Sequence, residues 1–277
     1  APGAAFRIVE PDGRVRIAVA PGVDSKPEFK AGAPSANDST LHVTLPPKQG
    51  GYVDLLIPML PTDRATFDQE LALGYDGAFQ EAEAFWSQKP ATAATFEVPE
   101  DYINQAIKRN VQFDRVTSEK DPVNGETYVV SGAFGYGTAC WGTPVSMALA
   151  GFLDPLGYYP VVEKYLKAFK DAQGKVMPPG DAFKLHPGYL GVPPETAVVN
   201  WLPDHGALMW LIAQHALLSG DPKFIEEYTP VIVKACEWVR DARRIESHGG
   251  VPGIMPAAGA SDDESRIQNC WTDGWIY

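Results

Sequence analysis

The sequence predicts a mostly α protein whose helices form hairpins in two layers, with a run of β strands ahead of them. Three observations predict this. From residue 99 onward, helical segments alternate between two kinds, one apolar nearly all round and one with a single apolar face. The links alternate as well: short after each apolar helix, long and rich in Gly and Pro before it. A sequence motif recurs ahead of the apolar helices. A helix that is hydrophobic all round has to be buried on every side, whereas an amphipathic one covers a surface. Strict alternation therefore implies an inner and an outer layer.

Residues 1–61 read as β. Segments 5–10 and 14–20 alternate apolar and polar positions around Pro11-Asp12-Gly13, a hairpin signal. Residues 22–39 read as a polar loop, and 40–45 and 52–58 as two further strands. Four strands are few for a free-standing sandwich, so they read as part of a larger one. Residues 62–98 read as a helical linker. Thr62-Asp63 caps a helix reaching about residue 88, with Phe67, Leu71, Tyr75, Phe79, Ala82 and Trp86 on one stripe. Gly74 and Gly77 weaken its middle by roughly 1 kcal/mol each relative to Ala.

Residues 99–277 hold the hairpins. Segments 100–117, 160–173 and 222–243 are amphipathic. The first turns Tyr102, Ile103, Ala106, Ile107 and Phe113 one way, and Lys108, Arg109 and Asp114 the other. Segments 139–153 and 204–218 are apolar nearly all round, and a third such helix begins at Cys270. In the turn 219–222, Gly220 suits a helix C-cap and Asp221-Pro222 the next start. The connectors before the inner helices run to about 20 to 30 residues. Loops of that length in a compact domain are usually functional, and all of these fall at the same end of the helices. GKVMPPG at 174–180 is echoed by GIMPAAG at 253–259. Each precedes an inner-helix start, NWLPDHG at 200–206 and NCWTDG at 269–274, with ACWG at 139–142 a looser copy.

The formal charge of −12 would repel a polyanion, which argues against nucleic acid. No apolar run approaches the roughly 18 residues a membrane span needs, and no signal peptide opens the chain. Cys140, Cys236 and Cys270 are spaced too widely for a zinc ribbon and read as buried free thiols. Free thiols fit cytoplasm. A first residue other than Met fits a processed export product, so a periplasmic or secreted location is slightly favoured. No Walker-type, GxGxxG or GxSxG motif appears, and neither a cofactor nor a metal is expected. The glycine-rich GAFGYG at 132–137 reads as a loop near the mouth of the helical array.

Phe85-Trp86, Val98-Pro99-Glu100 and LLSGDPKFIEEYTP at 217–230, with the two-layer hairpins, resemble the six-hairpin (α/α)6-barrel glycosidases. That group includes glucoamylases, processing α-glucosidases and α-L-rhamnosidases. The resemblance runs from about residue 82 to 277. It implies a partial (α/α)6 toroid of helical hairpins, preceded by β-sandwich strands and a linker helix. A ring of six would need further polypeptide, or another chain, to complete the barrel. It also implies a glycoside hydrolase acting on a carbohydrate substrate by carboxylate acid/base catalysis, with inversion. A non-catalytic glycan-binding toroid and a polysaccharide lyase are the alternatives on the same fold.

In glucoamylases and processing α-glucosidases the general acid lies on the loop inside the third hairpin. Here that loop carries Asp262, Asp263 and Glu264. Crowded carboxylates raise one another's pKa, as a general acid at neutral pH requires. The alternative is a solvated acidic loop. The resemblance puts the general base in the last hairpin, beyond this chain. Asp204 and Asp273 sit at matching positions near inner-helix starts, where a carboxylate can cap helix amides or bond sugar hydroxyls. His205 beside Asp204 can be a ligand contact or a structural group. Trp141, Trp201, Trp271 and Trp275 cluster at the same end, suited to stacking on sugar rings or to filling core. Arg266 can orient a carboxylate.

Overall fold

The computed structural model describes residues 6–21, 26–30, 40–44, 51–121, 124–130, 140–196, 200–261 and 266–277. The chain divides into two compact units, Ala1–Gln88 and Lys89–Tyr277.

In the first unit, β1 (Phe6–Val9), β2 (Val15–Pro21) and β5 (Val53–Leu56) form an antiparallel sheet in the order β1-β2-β5. The hairpin closes as its turn residues require: Gly13 takes φ 89° and its N–H donates to Glu10 O at 2.9 Å. β3 (Lys26–Lys30) and β4 (Thr40–Thr44) pair as a separate ladder. Here the structure departs from expectation, since β3 falls inside the stretch read as a polar loop. Its five residues, KPEFK, are too few and too charged to show an alternating pattern.

Helix α1 (Arg64–Ser87) starts at the expected cap, with Asp63 accepting from the Ala65 and Thr66 N–H groups at 3.0 Å. Its first turns pack Phe67 and Leu71 on Val15, Ala18 and Ala20 of β2. Arg7 of β1 donates to Asp68 at 2.6 Å, a second tie between sheet and helix. The expected stripe then breaks at Gly74, where φ 65° is left-handed and kinks the helix. Beyond the kink Tyr75 and Phe79 are exposed.

The second unit begins with α2 (Asp101–Val116), whose apolar side is only partly used: Val111 is buried, while Tyr102 and Phe113 are exposed. A short antiparallel hairpin of β6 (Ser118–Lys120) and β7 (Thr127–Val129) follows, unanticipated in the sequence. Then come α3 (Gly142–Ala148), continued by a π-helical turn at Leu149–Leu153, α4 (Tyr159–Ala172), α5 (Pro203–Ser219) and α6 (Pro222–Ala242). The chain ends in the small β8–β9 ladder (Ala258–Gly259, Arg266–Ile267) and α7 (Cys270–Ile276).

The turn between α5 and α6 is built as read. Gly220 adopts φ 60° past the end of α5, and Asp221 accepts from Lys223 N–H at 2.9 Å to start α6. Helix α5 packs against α3 and α7, and both α4 and α6 pack on α5. One core runs through them, including Val145, Leu149, Leu153, Val162, Leu166, Leu208, Leu211, Phe224 and Tyr228. At the C-terminal half of α5, buried His215 meets Asp154 at 2.7 Å and Glu163 at 3.4 Å, with the Phe224 ring at 4.4 Å. That cluster ties three helices and the end of the π turn together.

Two expectations are corrected. The apolar helices are not buried all round: Met147 on α3 and the stripe Trp210, Ala213, Leu217 on α5 face solvent, with Leu217 85% exposed. No element among the described residues covers that side of α5 beyond the seven residues of α7. The cysteines are not all buried either. Cys140 is enclosed, but Cys236 and Cys270 are exposed.

Candidate functional site

The inner-helix starts meet at one end of the second unit. Trp141 precedes α3 and Trp201 precedes α5, and their indoles stack at 4.6 Å with planes 6° apart. Trp141 is 9% exposed and rests on Val192 as well. Of the stacked pair, only half-buried Trp201 has appreciable surface to offer a ligand. Trp141 is a core residue, because the stack spends its face on Trp201.

Asp204 is fully buried. Its carboxylate accepts from Thr143 N–H at 2.7 Å and, more weakly, from Trp201 N–H at 3.4 Å. The first turn of α3 has no side-chain cap of its own, since its N-cap residue is Trp141. Asp204 supplies that cap from the neighbouring helix. The two helices approach closely enough that a methyl group on Gly142 would lie 2.9 Å from Asp204 Cβ. Burial pushes the Asp204 carboxyl up to about 6, against the lowering effect of the backbone donors.

His205 is also fully buried, between Tyr189 (ring centroids 5.5 Å apart, planes 7° apart) and Trp238 (4.3 Å). Its Nδ1 accepts from Leu190 N–H at 3.0 Å, which leaves Nε2 as the protonated nitrogen, facing Ala235 O at 3.3 Å. Burial holds the imidazole down to about 3, so it is neutral. His205 thus clamps the 173–202 connector to α5 and α6. Asp204 and His205 serve the frame here: neither has a polar atom open to a ligand.

In the third copy of the motif, Asn269 caps α7 by accepting from Thr272 N–H at 2.8 Å. Asp273 lies near Met255 N–H at 3.4 Å, and so holds the 243–269 connector. Trp271 is 51% exposed, and its ring meets half-buried Trp275 edge-on at 5.7 Å. On the other side, Trp275 lies 5.6 Å from Trp210 of α5. Trp210, Trp275, Met209 and Tyr277 line a cleft of about 440 Å³. That volume suits a small ligand.

Asp262, Asp263 and Glu264 lie outside the described residues, as does the GAFGYG stretch. The flanks of the acidic segment are described. Gly259 and Arg266 pair in the β8–β9 ladder, and Gly259 O accepts from Leu202 N–H at 2.9 Å, beside Trp201. Arg266 pairs with Asp181 of the preceding connector at 3.0 Å, on the exposed surface.

Sequence reasoning singled out neither Trp210 nor Asp181. Trp210 sits in a helix that reads as core throughout, and Asp181 in a connector with no pattern of its own. Buried hydroxyls of Thr143, Ser146, Tyr189 and Thr272 have no hydrogen-bond partner among the described residues. Nor, among those residues, do three His, Cys, Asp or Glu side chains converge in a way that could hold a metal ion. No described helix is long and apolar enough to cross a membrane. Comparisons of the chain with protein-family models, with curated proteins and with solved structures found no match.

Proposed function

We propose that this chain is part of a glycoside hydrolase that cleaves an oligosaccharide, polysaccharide or glycoside, built as a partial (α/α)6 toroid behind β-sandwich strands. The observation that carries this reading is the linkage of connectors at one end of α3, α5 and α7. The bond from Leu202 N–H to Gly259 O and the Arg266–Asp181 pair anchor both flanks of the segment that holds three carboxylates. Trp201 and Trp271 lie on the same connectors with surface to offer. Aromatic planes suit the C–H faces of a sugar ring, and indole N–H groups can donate to its hydroxyls.

In this reading Asp263 or Glu264 protonates the glycosidic oxygen, and Asp262 supports the protonated state through like-charge crowding. An inverting pair needs its second carboxylate roughly 6.5–9.5 Å away, so that water fits between. That base is expected from a later hairpin of the ring, in polypeptide that also completes the barrel. The test is turnover of a panel of aryl glycosides and oligosaccharides by the full-length polypeptide. Either Asp263→Asn or Glu264→Gln should lower kcat by about 10²- to 10⁴-fold with the fold intact. Full activity in both variants would remove the acid assignment. Exposed Trp271 favours a second reading, glycan retention without turnover. That one requires saturable binding, weakened in Trp271→Ala, with no product released. An unsaturated product absorbing in the ultraviolet would instead identify a lyase.

A further inference from the structure

Asp114 is on the polar side of α2 by sequence pattern, yet the structure puts it on a packing edge. It lines a cleft of about 130 Å³ between α2, β7 and α3. Phe113, Val130, Val145 and Leu149 form the apolar walls, and Thr117 is the other polar side chain there. Thr117 Oγ1 donates to the Asp114 backbone O at 3.1 Å, so its lone pairs remain available to accept. Among the described residues no donor reaches the Asp114 carboxylate. Burial alone pushes this carboxyl up to about 6. The β7 and α3 sides of the lining carry no titratable group. Tyr165 on α4 feels the Asp114 charge, and Arg115, next in sequence, acts on Tyr158 and Tyr165.

A carboxylate that loses hydration without gaining a partner is costly. Perturbed carboxyls lining a cleft are characteristic of binding and catalytic sites. The group that would repay the cost is a cation with an apolar body small enough for the cleft. An apolar cavity of about 150 Å³ accommodates benzene, so the body is a ring or chain of that order. We propose that this cleft binds a small alkyl- or cycloalkylammonium ion, its N–H groups donating to the Asp114 carboxylate and to Thr117 Oγ1 and its hydrocarbon against Val130, Val145 and Leu149. The acidic character of the whole chain favours the approach of a cation. The site is independent of the sugar reading.

Isothermal titration calorimetry of the intact chain with cyclohexylammonium chloride, and with cyclohexanol as its neutral counterpart, tests this at constant ionic strength. The ammonium ion should bind saturably and at least about tenfold more tightly than the alcohol near neutral pH. Asp114→Asn should erase that difference. Since the bound form needs an ionised carboxylate, affinity should fall about tenfold between pH 7 and pH 5. Equal affinity for alcohol and ammonium, an unchanged ammonium affinity in Asp114→Asn, or no saturable ammonium binding would each overturn the proposal. The alcohol comparison uses the unsubstituted chain, so it stands even where Asp114→Asn fails to fold.

Discussion

Asp204 shows how much one side chain can do from a neighbouring helix. Its carboxylate accepts from the α3 amides that Trp141 cannot cap, and it does so without solvent. Asp204→Ala should cost about 1–3 kcal/mol, the range for leaving buried donors unmet, measured as a shift in urea midpoint. Asp204→Asn keeps an acceptor oxygen and should cost less. The pH behaviour follows from two opposed groups. The Asp204 carboxyl is raised to about 6 in the fold, from 3.8 ordinarily. The folded state therefore holds the extra proton between those values, and this group's contribution is lost as pH rises through 6. His205 is held down to about 3 from 6.5, so the unfolded chain takes its proton first. Its contribution is complete above 6.5 and is lost as pH falls toward 3. His205→Gln should therefore flatten the loss of stability between about pH 6.5 and 4. An unchanged acid limb would mean that other groups set it. The motif NWLPDHG located both residues at an inner-helix start. It did not say which helix would lie across Asp204, and that neighbour decides between capping and ligand contact.

Among the elements, the helices were legible and the short ladders were not. Caps at Asp63, Asp221 and Asn269 and the stop at Gly220 are local events written in a few adjacent residues. β3, β6 and β7 are three to five residues long and gain their identity only from a partner strand. The contact of α5 with α7 depends on Gly206, where a methyl group would stand 2.1 Å from Trp275 O. Gly206→Ala should push α7 away, cost about 1–3 kcal/mol as overpacking does, and change the near-ultraviolet circular dichroism of Trp210 and Trp275. Gly274 has nothing within 4 Å of the same position, so Gly274→Ala should leave stability unchanged or slightly raise it. Equal effects at the two sites would show that helix propensity, not contact, dominates.

At the scale of the molecule, the two-layer pattern correctly announced which helices are central. It overstated their burial, because periodicity records what a helix can cover and not what is there to cover it. The open stripe from Trp210 to Leu217 continues into an apolar groove with Ile225, Tyr228 and Val233 of α6. Surfaces of this kind mark interaction sites or association. Leu217→Lys together with Val233→Lys should reduce self-association in light scattering and lower the binding of a hydrophobic dye. Unaltered behaviour would mean that the groove is covered in solution.

Cys140 stands directly before the Trp141 stack and is fully enclosed, its thiol pushed up to about 12 by burial, whereas Cys236 and Cys270 are open. An alkylating reagent should therefore add two mass increments quickly and the third only when the starts of α3 and α5 separate. The rate of that third addition is a clock for opening of the inner-helix junction. It can be read by mass spectrometry with no substrate in hand and no label engineered into the chain.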